Sequence, residues 1–325
     1  MLTLKYFLGL IAILAVGKVY KKWMKKNDSV QQSKTYELVR EYLLNESSLA
    51  KSEKPIMWIH IPHEINARNW INFNSRNTND VNRPYLYLSI KSIVDNCSKS
   101  FNICLINDKT FSKILPGWTI DLEDVAEPAK KNLRLLALSQ ILYSYGGMLV
   151  PPSLLCFSDL YETYNKALSL SKDAFVGEFI DRTFIGHKNT YLPNTMVMGC
   201  KKNSELMQEF TNMLSILISQ DYTDENNFLG TISHWWNENI KVNKAGLVDA
   251  RTLGIETPNG PMTTEMLLGS TFYKLDETAK ALYIPENEIA KRTNYQWFER
   301  QSPEQVLSGH YLIGTYFLAA LANKC

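Results

Sequence analysis

The 325-residue sequence has no P-loop, no GxGxxG after a strand, no HExxH and no GxSxG. No signature is therefore present for P-loop nucleotide hydrolysis, Rossmann dinucleotide chemistry, a zincin or an elbow-type hydrolase. A Ser–His–Asp arrangement assembled from distant residues stays open, as does a nucleotidyl-transfer enzyme. Cysteine is scarce: five residues, an odd number, with no CxxC spacing. Cys104, Cys156 and Cys200 lie in or beside apolar runs, where cysteine behaves as a small buried hydrophobe, as suits a reducing compartment. His60 and His63 are close but have no neighbouring cysteine, so no zinc ligand set is assembled. Charge of one sign is also lacking: 35 basic and 33 acidic side chains leave +2, too balanced for a nucleic-acid partner. Internal repeats and low-complexity blocks are absent. What remains is 45% apolar and 11% aromatic, the composition of a chain with a large core.

The charge is unevenly placed. Residues 1–26 hold six lysines and no acid, leaving 29 basic against 33 acidic side chains in the rest. Within that leader, residues 6–17 (YFLGLIAILAVG) are uncharged. Twelve residues at about 1.5 Å each fall short of a roughly 30 Å hydrocarbon core, but snorkelling by Lys5 and Lys18 stretches the segment to residues 2–20. The following KVYKKWMKK offers no small-residue cleavage site, which disfavours a secretory signal peptide. The expectation is a single-pass anchor over 1–26 with its basic flank, and a membrane partner through residues 2–20. Five lysines follow the apolar run and one precedes it, so the body is expected on the cytoplasmic side. Sequons at Asn27, Asn45 and Asn96 would matter only for a luminal body. Residues 27–54 read as a polar stalk with one amphipathic helix over 36–47. Residues 55–325 read as one domain.

In that domain strand and helix signals alternate. Strands are expected at 56–61, 101–107, 148–151, 174–180 and 194–200, and helices at 83–97, 128–145 and 204–220. The helix over 83–97 carries Leu86, Ile90, Ile93, Val94 and Cys97 on one stripe. The helix over 128–145 is apolar on most sides, hence buried, and Gly146-Gly147 supplies its C-cap. Ser204 caps the helix over 204–220. This alternation predicts an α/β fold with a mainly parallel sheet covered by helices, and ligands beyond the carboxyl ends of its strands. The positions that merit weighing are then His60, Asp108, 151–153, 178–181 and 259–261.

One segment, Ile141-Leu142-Tyr143-Ser144-Tyr145-Gly146-Gly147-Met148-Leu149-Val150, resembles the helix–YGG–strand core of DXD-type sugar transferases. These are the GT-A-fold families that include capsular-polysaccharide synthesis proteins and membrane-bound mannosyltransferases. Three flanking stretches are similar to the same pattern in the same order: PIMWIH (55–60), CLINDKTF (104–111), and NTMVMGCKKNSELMQEF (194–210) followed by NGPMTTEML (259–267). The resemblance implies a GT-A-like, Rossmann-like fold, a nucleotide-sugar donor, and a glycan or lipid acceptor that receives a hexose. It also implies nucleotide-sugar contacts from His60, Asp108, Gly146, Gly147 and Ser153 and acceptor contacts from Asn194, Asn259, Gly260 and Pro261; Arg134 joins the nucleotide-sugar candidates as a cation, and their place at a strand end makes Glu178 and Asp181 the candidate catalytic carboxylates.

The departures from the family are specific. Where it has Asp-x-Asp, this chain has Pro151-Pro152-Ser153, and the positions of its helix-start Asp and Arg hold Leu135 and Leu138. A divalent cation on a diphosphate needs carboxylate oxygen, so the expectation is no metal and no cofactor. Two outcomes follow. In one, transfer proceeds without metal and cationic side chains take the diphosphate charge, with Arg76, Arg83, Lys130, Lys131 and Arg134 as candidates beside their reading as solvated surface charges. In the other, the fold is retained as a catalytically dead scaffold of a membrane or membrane-containing particle.

Each candidate has a plain alternative. His60 is either at the nucleotide side or a satisfied buried histidine. Asp108 either accepts from ribose or base, or caps the helix that follows. Glu178 and Asp181 either activate an acceptor hydroxyl or form a surface pair. Asp159 reads as a cap. Trp235 and Trp236, beside His234, either stack on sugar or fill the core. Residues 311–322 are apolar but too short to span a membrane, and read as a docking helix.

Overall fold

The computed structural model describes residues 54–62, 83–169, 172–180, 191–220 and 225–322. The anchor over 1–26, the stalk helix, Arg76 and Asp181 lie outside the described residues, and no described helix is long and apolar enough to cross a membrane. One compact unit comprises Lys54–Asp108 and the chain from Asp121 on. Lys109–Ile120 belongs to a separate unit, with a short helix over Phe111–Ile114 and the Trp118 ring edge-on to Phe111.

The larger unit is α/β, as the alternation predicts. Its central sheet holds β1 (Ile56–His60), β2 (Asn102–Ile106), β3 (Gly147–Val150), β5 (Ala174–Ile180), β6 (Tyr191–Cys200) and β7 (Ala245–Val248), in the order β2-β1-β3-β6-β5-β7. Only β6 runs against its neighbours; the β1–β2, β1–β3 and β5–β7 pairs are parallel. β1 and β3 are covered on both faces, which is why they read as unbroken apolar runs, whereas the edge strand β2 leaves Leu105 exposed. A two-stranded sheet pairs β4 (Leu154–Cys156) with β10 (Ala281–Tyr283), and β8 (Glu256–Thr257) with β9 (Gly260–Pro261) forms a hairpin.

Helix α1 (Tyr85–Cys97) buries Leu86, Ile93 and Cys97 of the expected stripe, but Val94 is exposed and Leu88 and Ser92 fill that face instead. The Ser92 hydroxyl accepts from Cys156 N at 2.9 Å, which ties the helix to β4 by a bond no apolar periodicity encodes. Helix α2 (Ala129–Tyr145) has no exposed residue from Asn132 onward, as its all-round apolar character requires. It ends at Gly146, whose φ of 73° is the left-handed cap that glycine tolerates. Gly147, at φ 102°, opens β3 so close to β1 that a Cβ would sit 2.1 Å from Ile56 O. Helix α3 spans Tyr161–Ala167. Helix α4 (Glu205–Ser219) starts at Ser204, whose side chain accepts from Met207 N, and packs on α2 through the Thr211–Ser139 hydroxyl pair. After α5 (Glu225–Lys241) and α6 (Glu286–Lys291), the chain closes with α7 (Leu312–Ala322). Leu312, Ile313, Phe317 and Ala320 of α7 are buried with Tyr85, Leu86 and Phe298, the docking role expected of that run.

Candidate functional site

The register of β1 and β2 aligns His60 with Ile106, so the residues that follow both strands emerge together at one edge of the sheet. Asp108 follows β2 there, and Arg134 reaches it from the second turn of α2. His60 Nε2 lies 2.9 Å from Asp108 Oδ1. Arg134 grips the same carboxylate from Nε, at 2.9 Å to Oδ1 and 3.0 Å to Oδ2, and from Nη2 at 2.8 Å to Oδ2. Burial works against the charged carboxylate, but the hydrogen bonds from His60 and Arg134 outweigh it and hold Asp108 down at about 2. Three nucleotide-site candidates, far apart in sequence, are thus brought together.

This arrangement changes what Arg134 can do. It is buried, bidentate on Asp108, and 3.6 Å from Glu127 as well. One guanidinium faces two carboxylates, so its charge is committed and leaves no surplus for a diphosphate. Arg83 is likewise committed, to Glu286 at 3.3 Å and Glu299 at 3.0 Å. The cluster offers a ligand hydrogen-bonding polarity at the ends of β1 and β2 rather than spare positive charge.

Gly146 and Gly147 lie at the other end of the strands. Gly147 starts β3 beside Ile56, which starts β1, and Gly146 O accepts from Trp58 Nε1 at 2.9 Å. Their contribution is to backbone packing, a strand's length from His60. Beyond the carboxyl end of β3, Pro151, Pro152 and Ser153 are all buried. The Ser153 carbonyl accepts from Ile284 N at 3.2 Å, and its hydroxyl is buried with no partner among the described residues. Two prolines and one buried hydroxyl do not fit a divalent cation, which takes several oxygen ligands. Asp159, the next acid in sequence, does not compensate. It accepts from Tyr161 N at the start of α3 and from the Ser100 hydroxyl, which precedes β2, whereas Asp108 follows it. Five strand residues at about 3.3 Å each separate those ends. Among the described residues no three His, Cys, Asp or Glu side chains are grouped as a metal site.

Of the acceptor-side candidates, Asn194 lines a separate cavity of about 390 Å³ at the carboxyl end of β5, whereas Asn259, Gly260 and Pro261 are not among its lining residues. An irregularity in the β5–β6 ladder falls between Val176 and Gly177, whose partners are Met198 and Asn194. Such bulges re-aim side chains. Here Asn194 and Met196 line the cavity, and Asn194 Oδ1 accepts from Met196 N at 2.9 Å. Ile255 and Met262, which flank the β8–β9 hairpin carrying Asn259, Gly260 and Pro261, line it too. Phe179 and Tyr283 meet edge-on at 5.0 Å between ring centres on its wall. Glu178 is not among the lining residues. Its carboxylate accepts from Ala250 N at 3.2 Å, and burial foremost pushes its pKa up, with Asp249 and Glu256 adding to the effect. The C-terminal contributors Tyr283, Lys291 and Arg292 carry no sequence motif, and only the pairing of β10 with β4 delivers them here. A second, more open cavity of about 740 Å³ lies between α4 and α5 and is lined by His234 and Trp235, whereas Trp236 is wholly buried against Phe210.

No family model and no curated protein matches the chain. Among solved structures, a glycosyltransferase involved in the glycosylation of the major capsid of PBCV-1 is similar over 71% of this chain and 95% of its own, at 11% identity and a TM-score of 0.38. The glycosyltransferase GlyE of Streptococcus pneumoniae TIGR4 is similar over 62% of this chain and 46% of its own, at 11% identity and a TM-score of 0.35. An active-site mutant of LgtC is similar over 70% and 86%, at 13% identity and a TM-score of 0.33. Overlaps of this extent decide neither the fold family nor the function.

Proposed function

We propose that this chain is a glycosyltransferase-like protein that binds a nucleotide sugar over the carboxyl ends of β1, β2 and β3. The acceptor, a glycan or lipid hydroxyl, would enter at the cavity bordered by Asn194 and the β8–β9 hairpin. The observation that carries this reading is the gathering of His60, Asp108 and Arg134 at one sheet edge, beside the strand that follows the YGG segment. That edge is where open α/β sheets bind ligands. β6 is two strands from β1 in the sheet order, about 10 Å at strand spacing, a separation that one nucleotide sugar can bridge. In transfer the acceptor oxygen bonds to the anomeric carbon. The bond from that carbon to the diphosphate breaks, the nucleoside diphosphate leaves with the electron pair, and the hydroxyl proton passes to a base. Glu178 is a described carboxylate near that end of β5, and its raised pKa suits a group that accepts a proton. With Pro151-Pro152-Ser153 in place of carboxylates, donor binding proceeds without a divalent cation. The apolar leader over residues 2–20 holds the protein on a membrane, with the body on the cytoplasmic face.

A second reading, a retained fold without catalysis, is favoured by one observation: both Arg134 and Arg83 are already paired, so neither stands ready to take the charge of a missing metal. Thermal denaturation with UDP- and GDP-hexoses, each with Mn²⁺ or EDTA, separates the two. Stabilisation by a nucleotide sugar that EDTA leaves unchanged supports metal-independent transfer. Silence with every donor supports the scaffold. Stabilisation that requires Mn²⁺ would overturn the metal-free reading.

A further inference from the structure

The 390 Å³ cavity has a lining that selects for charge. Part of its lining is apolar and aromatic: Phe179 and Tyr283 present adjoining rings, and Met196 and Met262 line it as well. Aromatic faces pack against the CH face of a sugar ring. The polar wall is rich in donors. Asn194 spends its oxygen on Met196 N, leaving its amide N–H groups for a ligand. Glu288, a lining carboxylate, is occupied on both oxygens: Thr264 Oγ1 donates to Oε2 at 2.7 Å, and Arg292 Nη2 lies 3.1 Å from Oε1. Arg292 is further drawn to Glu265 at 3.7 Å. That leaves Lys291, at the end of α6 on the rim, as a cation with no carboxylate partner among the described residues.

An uncommitted ammonium, amide donors and aromatic rings lining one cavity match a ligand with a ring and an anionic group. The volume lies near the lower end of the roughly 300–1,000 Å³ typical of small-molecule sites, so a short saccharide end fits better than a long chain. We infer that this cavity binds a saccharide carrying a carboxylate or phosphate, that is, an acidic rather than a neutral sugar, and that Lys291 selects it. The assignment of this ligand as the acceptor rests on the proposed glycosyl transfer; the binding preference itself does not.

The test uses the full-length chain with ¹³C-methyl-labelled methionine, because Met196 and Met262 report from inside the cavity. Glucuronate, glucose 6-phosphate and glucose are titrated separately, and Lys291→Gln is titrated in parallel. At least one acidic sugar is expected to shift both methyl resonances with about tenfold tighter binding than glucose, the scale of one charge-assisted hydrogen bond, and Lys291→Gln to abolish that preference. Response to glucuronate alone identifies a uronate as the anion, and response to the phosphate alone a phosphorylated sugar. Equal binding of glucose, a preference that survives Lys291→Gln, or no response at Met196 and Met262 overturns the inference. A parallel titration with UDP- and GDP-hexoses keeps the two failures apart. Acidic-sugar binding without nucleotide-sugar binding refutes the transferase reading and leaves this one standing, and the reverse result refutes this one alone.

Discussion

Two carboxylates in this protein respond to burial with opposite outcomes, because their partners differ. Asp108 is held at about 2 by His60 and Arg134 despite burial, so its folded-state value lies below its ordinary 3.8. Its contribution to stability is full above about pH 4 and is lost as the pH falls toward 2. Asp108→Ala leaves a buried guanidinium without its main partner, and a loss of about 3 kcal/mol is expected in urea denaturation at pH 7, shrinking at pH 2–3. Glu178 moves the other way. Burial raises its pKa above 4.5, and its backbone donor at Ala250 does not offset this. The folded state therefore holds the proton more tightly than the unfolded chain, and stability declines as the pH rises from about 4.5 through the raised value. Glu178→Gln keeps an oxygen for Ala250 N and should remove that decline, a difference visible in melting curves recorded from pH 4 to 8. If Glu178 also serves as the base, the same variant lowers transfer by about 10²-fold or more.

Among the elements, the α2–Gly146-Gly147–β3 unit resembled a transferase motif, yet its glycines act on backbone geometry. A Cβ at Gly147 would sit 2.1 Å from Ile56 O, in a backbone conformation that side chains avoid. Gly147→Ala is therefore expected to push β3 off β1 and cost about 3 kcal/mol or more, with Gly230→Ala as a control, since nothing lies within 4 Å of a Cβ there and its φ is not positive. A melting temperature unchanged by Gly147→Ala would contradict the close approach. The β6 irregularity illustrates the converse. Nothing in YLPNTMVMGC announces that the strand breaks register after Asn194, and the break is what turns Asn194 and Met196 to the cavity.

For the whole molecule, the basic and apolar leader carries the prediction about location. Full-length protein is expected to stay with membranes after a carbonate wash, and deletion of residues 1–26 to release it; a truncated chain that still sediments would refute the anchor. Orientation is read at Asn45. Asn96, the third sequon, is already engaged, its amide donating to Ser92 O and Cys156 O at 3.0 Å each. An endoglycosidase-sensitive shift lost on Asn45→Gln would put the body on the luminal side. What the sequence by itself determined is what period and local chemistry encode: the alternating strands and helices, the buried α2, the glycine cap, the Ser204 cap and the docked C-terminal helix. Each follows from side-chain spacing or from the φ that a residue tolerates. The sequence also showed that residues 151–153, which follow β3, carry no carboxylate. Tertiary structure decided the rest, because charge pairing and cavity formation depend on residues far apart in the chain. Arg134 looked available until Asp108, 26 residues earlier, was seen to occupy it, and the rim lysine at 291 meets Asn194 across one cavity only because β10 pairs with β4 and the chain then turns into α6.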